Sequence, residues 1–199
     1  ISDWEGVKNI LLTGERDNFC VLRKSYRNTV EIANFASDIL AHGEFPGYGA
    51  EPVIRHGEAV GILQTAGRNL YREAAKICKG WQTEGFDTIA VICRDQKQAQ
   101  ETAELLQKEL PVMPWDPEKA SFEKGIMVFP VEYTKGLEFD AVLLLSPDRE
   151  SYPIDDGHAK LLYVAATRAL HRLEVLHTGN LTGLIADPIL KKNKKRIRL

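Results

Sequence analysis

Two arginines stand out for the chemistry they could carry: Arg27, in SYRN at 25–28, and Arg168, in YVAATRAL at 163–170. A guanidinium is planar, forked and permanently charged. It matches the oxygens of a phosphate and can offset charge that builds up during phosphoryl transfer. Between the two lies EYTKGLEFDAVLLL (132–145), where Lys135, Gly136, Glu138 and Asp140 crowd against the apolar run 141–145. That run has the length of a buried strand. Open α/β sheets bind ligands at the carboxyl ends of their strands, where loops leave for helices. By that rule Lys135 and Glu138, following a strand at 126–132, and Arg27, following one at 19–23, are expected at the carboxyl edge.

Other chemistries find less support. His42, His56, His158, His171 and His177 show no metal-ligand spacing, and Cys20, Cys78 and Cys93 are too widely spaced for a zinc site. No metal site is expected. Odd in number, the cysteines fit buried reduced thiols better than a disulfide framework, which implies a cytoplasmic setting. A phosphate-cradling Gly-x-x-x-x-Gly-Lys-Ser/Thr loop is missing from the 199 residues, as is a following Asp-Glu pair on a strand. GYG at 47–49 lacks the third glycine of a dinucleotide fingerprint and reads as loop.

The elements that must position these residues alternate between extended and helical. NFCVLR (18–23) reads as a strand, and NTVEIANFASDIL (28–40) as an amphipathic helix capped by Asn28 or Thr29. After a glycine- and proline-rich loop (42–52) come two short extended pieces, PVIRHG and GILQTA. A helix is expected at 70–84, a buried strand at 87–94, and a helix capped by Asp95 at 95–110. Strands at 124–132 and over the run 141–145 follow, then a helix at 158–170 and a strand at 171–178, with Asn180 a candidate cap for a last short helix. The pattern predicts one α/β domain over 1–190, with helices on both faces of a mainly parallel sheet, and a basic tail at 191–199. The short link between 132 and 141 leaves the relative direction of those two strands open.

Composition sets the outer bounds. A hydrophobic fraction of 44% supports a substantial core, and 27% charged residues of mixed sign exclude a disordered chain. No apolar run reaches membrane-spanning length, so no membrane partner is expected. The chain starts at Ile1 and is expected to be a piece of a longer polypeptide. Its net charge of −2 combines six basic residues in KKNKKRIR (191–198) with a body at −8. An acidic body argues against nonspecific phosphate binding over the whole surface. The tail could bind nucleic acid or stand as a solvated end.

In order, LRKSYRNTVEIANFASDIL (22–40), KGLEFDAVLLL (135–145) and KLLYVAATRALHRLEVL (160–176) resemble motifs IV, V and VI of superfamily 1 helicases of the UvrD/Rep type. The resemblance implies the C-terminal RecA-like domain, 2A, of such a motor, with a three-layer α/β/α fold. It implies that this domain closes over ATP held, with Mg²⁺, mainly by the N-terminal RecA-like domain of the same polypeptide. By the same resemblance Arg27 and Arg168 reach the γ-phosphate, Arg168 as the nearer to an arginine finger. Tyr26 stacks on adenine, Glu138 accepts a hydrogen bond from the ribose hydroxyl, and Gly136 lets the backbone approach. Each role has a plainer alternative: a surface ion pair for an arginine, packing at a helix start for Tyr26, an ordinary loop carboxylate for Glu138. The role of Lys135 stays open.

The family usually carries Thr-x-His ahead of Lys-Gly-Leu-Glu, where it touches single-stranded DNA; here the positions read Pro130, Val131 and Glu132. A carboxylate there repels phosphate. About a hundred residues separate Arg27 from Lys135, too few for a large accessory domain. Both departures resemble the HelD branch, whose members act on bacterial RNA polymerase. The sequence therefore predicts an ATP-coupled motor domain that holds half an ATP site and does not hydrolyse ATP alone, working on DNA or on RNA polymerase. The rival is a non-catalytic RecA-like binding module.

Overall fold

Apolar runs of strand length, separated by capped amphipathic segments, fold into a three-layer α/β/α sandwich. The computed structural model describes residues 28–43, 55–114, 116 and 124–185. The expected strand at 18–23, Tyr26, Arg27, Cys20, the loop tip at 47–49 and the basic tail lie outside them. Helix α1 spans Val30–His42 and strand β1 Gly61–Gln64. Helix α2 is Leu70–Thr83, β2 Thr88–Cys93, α3 Gln96–Leu106 and β3 Met113–Pro114. Then come β4 (Gly125–Pro130), β5 (Phe139–Leu145), α4 (Asp156–Thr167) and β6 (Ala169–His177). None of the described helices is long and apolar enough to cross a membrane.

The strands form one sheet in the order β1-β6-β5-β2-β4-β3, with every neighbouring pair parallel. Strands buried on both faces need apolar side chains at successive positions, which is what TIAVIC and FDAVLLL supply. Val142 and Leu144 face the layer that holds α1 and α4, with Ile32, Ile39, Leu161 and Leu162. Ala141, Leu143 and Leu145 face α2 and α3, with Cys78, Trp81 and Leu106. The alanines of α4 let it lie close to the sheet. Gly43, just past α1, allows the same closeness between helices: a Cβ there would stand 2.5 Å from the Ala159 Cβ.

Local chemistry sets the helix starts. Thr29, not Asn28, caps α1 by accepting from Ile32 N, and Asp95 caps α3 by accepting from Gln98 N. Asp155 caps α4 by accepting from His158 N, so that helix begins and ends earlier than its apolar pattern suggested. Cys78 and Cys93 are free and buried, and burial pushes both thiols up to about 12.

The open question of strand direction is resolved by β2, which lies between β4 and β5 and runs parallel to both. Residues 131–138 therefore return the chain from the carboxyl edge of the sheet to its amino edge. An extended chain covers about 3.3 Å per residue, so the segment can span the roughly 20 Å height of a six-residue strand. The segment starts with a 3₁₀ turn at Val131–Tyr133, which ends the expected 124–132 strand at Pro130.

Candidate functional site

The return segment decides where the charged residues stand. Glu138 immediately precedes β5 and Arg168 immediately precedes β6, so both lie at the amino edge of the sheet. This corrects the expectation that Glu138 stands at the carboxyl edge; Arg27, expected there as well, lies outside the described residues. The general rule for open α/β sheets assumes that the loop after a strand stays at that strand's end, and 131–138 does not.

Arg168 sits at the last turn of α4. Its Nε donates to Val164 O at 3.0 Å, Nη1 to Leu137 O at 3.2 Å and Nη2 to Thr167 Oγ1 at 3.4 Å. Its carbonyl accepts from Phe139 N at 2.9 Å, where β5 and β6 begin to pair. A guanidinium carries five N–H groups. Among the described residues three are used, which leaves one on each terminal nitrogen for a forked contact with an anion. The side chain is half-buried; burial pulls its pKa down from the ordinary arginine value, while Glu138 and Tyr163 pull it up. It remains cationic at neutral pH.

Gly136 and Glu138 border this arginine. Gly136 is exposed, has φ +78, and a Cβ built on it would meet nothing within 4 Å. Only glycine takes that conformation without strain, and the space above the backbone is open. Glu138 is half-buried and close enough to Arg168 to act on its charge. Lys135 is exposed. Asp140, one residue into β5, serves the fold: its Oδ2 accepts from Asp87 N at 2.9 Å and Thr88 N at 3.1 Å, tying β5 to the start of β2.

Sequence reading missed Asn28 as a site residue. Its Nδ2 donates to Thr167 O at 3.0 Å and to Ala169 O at 2.6 Å, the carbonyls on either side of Arg168. No local pattern signals a contact across 139 residues. The segment 55–57 straps the same corner. Arg55 O accepts from Val30 N at 2.9 Å, and Arg55 Nη2 donates to Leu170 O at 2.7 Å. Glu31 pairs with His56 Nδ1 at 2.9 Å and accepts from Gly57 N at 2.8 Å. The hydrogen bond from His56, then that from Gly57, holds the Glu31 carboxyl at about 2.

Of the residues predicted for the site, Gly136, Glu138 and Arg168 come together at one corner of the sheet. Tyr26 and Arg27 lie outside the described residues, and Asn28, next in the chain, anchors to that corner.

Residues 125–176 match the family model of the UvrD-like helicase C-terminal domain, a span that includes β4, KGLEF, α4 and Arg168. The chain is also similar to the solved structure of the C-terminal domain of a possible DNA helicase from Lactobacillus plantarum WCFS1. The identity is 25% and the TM-score 0.67, over 83% of this chain and 96% of that one. The search of curated proteins gave no significant match. The resemblance to UvrD/Rep-type superfamily 1 C-terminal domains, and the RecA-like α/β/α fold it implied, are borne out. Neither match singles out the HelD branch.

Proposed function

We propose that the amino-edge corner is the second half of an ATP site, completed when the N-terminal RecA-like domain of the same polypeptide closes against it. That domain would bring the phosphate-cradling loop and Mg²⁺, whose chemistry is to neutralise the triphosphate. The observation that carries the reading is Arg168, held at the corner by three hydrogen bonds that, among the described residues, leave an N–H on each terminal nitrogen. In this reading Arg168 steadies charge on the transferring phosphoryl group. Glu138 holds the ribose, Gly136 gives the nucleotide room, and Tyr26 and Arg27 complete the cradle.

Closure follows from differential affinity. ATP favours the closed arrangement only because the arginines bind it there and not in the open one. Hydrolysis removes that preference, and the cycle of closing and opening moves the motor on its track. DNA is the track that the helicase likeness supports. Glu132, where relatives carry a histidine that touches DNA, favours bacterial RNA polymerase as a second reading. The two separate by binding: salt-dependent capture of single-stranded DNA by the full-length protein supports the first, and tight polymerase binding without DNA the second.

The test is Arg168→Ala in the full-length protein. ATP turnover is expected to fall by about three orders of magnitude, as arginine-finger losses do. Turnover within about twofold of wild type would favour a RecA-like binding module without a nucleotide role.

A further inference from the structure

Asn28 is 1% exposed, and its carboxamide nitrogen is fully occupied. A primary amide places two N–H donors on one atom, and here they reach Thr167 O and Ala169 O. Thr167 is the last residue of α4, where carbonyls have lost their partners along the helix. Ala169 is the first residue of β6. The amide thus bridges the break between helix and strand at which Arg168 stands. Serine could serve one of these carbonyls, and aspartate, having no N–H, would set a charge against both.

The geometry points to Asn28 as a positioning residue for Arg168. Both carbonyls flanking the arginine are held by one side chain, and the arginine's own carbonyl by Phe139 N. Asn28 also begins the segment that enters α1, and Arg27 is its neighbour in sequence. One buried amide therefore fixes the backbone on both sides of Arg168, so that domain closure delivers its guanidinium in register. Asn28 itself touches no nucleotide in this scheme. Its effect is on the placement of a group that must meet a transition state, where a misplacement of about 1 Å costs roughly a hundredfold in rate. The inference rests on the reading of this corner as an ATP site.

The experiment measures ATPase kinetics and melting temperature in the full-length protein for Asn28→Asp, Asn28→Ser, Arg168→Ala and Asp95→Ala. The last removes the cap of α3 in the opposite helical layer and serves as a stability comparator. Positioning predicts that Asn28→Asp lowers kcat about a hundredfold with little change in the KM for ATP. Asn28→Ser, keeping one donor, is expected to lose about tenfold, while Asp95→Ala keeps its kcat despite a lower melting temperature. If the aspartate variant does not fold, the serine variant decides. Wild-type kcat in Asn28→Ser and Asn28→Asp, beside an inactive Arg168→Ala, would overturn the role of Asn28 and leave the ATP site standing. Equal kcat losses in Asp95→Ala and the Asn28 variants would reduce the effect to stability and overturn it as well. An active Arg168→Ala would overturn both readings.

Discussion

At the residue scale, the described surroundings of Arg168 hold its guanidinium without taking every donor, as the proposed phosphate role requires. Two backbone carbonyls and a hydroxyl take three of its N–H groups, and the Glu138 carboxylate lies close enough to favour its charged form. Gly136 is the conformational counterpart. At φ +78 an L side chain is strained, so Gly136→Ala is expected to cost about 1–2 kcal/mol. Because a Cβ there meets no atom within 4 Å, that cost belongs to the backbone alone. A urea midpoint unchanged from wild type would show that the turn relaxes to another conformation. Gly136, Glu138 and Arg168 were legible as candidates because the motifs KGLEF and YVAATRAL that carry the resemblance are local stretches. Asn28 stayed hidden: beside a helix start an asparagine reads as a cap, and Thr29 holds that role.

At the element scale, the start of α1 is latched to the strap 55–57, and the latch is acid-sensitive. The Glu31 carboxyl lies at about 2 in the folded chain against an ordinary 4.5. Its contribution is complete above pH 4.5 and is lost as the pH falls toward 2, because the unfolded chain takes up the proton first. Glu31→Gln is expected to be less stable than wild type at neutral pH, with the two curves converging as pH drops through that window. Stability curves that coincide at neutral pH would show that the latch contributes nothing. The elements themselves were legible to different degrees. TIAVIC and the run within FDAVLLL are continuous apolar stretches that only a doubly covered strand explains. Ala169 and Leu170 are good helix formers and continue the apolar pattern of α4, yet they fold into β6, because Phe139 pairs with Ala169 in a way that sequence does not display. The same blindness to partners hid the two-residue β3. Asn180, a candidate helix cap, takes φ +50, and residues 181–185 form a bridge and turn instead of a helix.

At the scale of the whole molecule, the layered order of strands was legible, whereas the edge that bears the site was not. Alternating apolar strands and capped helices sufficed for a parallel α/β sandwich. Placing the site required knowing that β2 lies between β4 and β5, which only long-range packing decides. Once 131–138 crosses back to the amino edge, the residues of KGLEF and YVAATRAL meet at one corner, while the carboxyl edge keeps the turn at Val131–Tyr133. In the proposed reading, this corner presents Arg168 to the N-terminal RecA-like domain. The most direct test is a structure of the full-length protein with a transition-state analogue of ATP bound. The Arg168 guanidinium is predicted to lie about 3 Å from the oxygens of the γ-phosphate mimic. A closed complex in which that guanidinium faces solvent, with another group on the γ-phosphate mimic, would contradict the account.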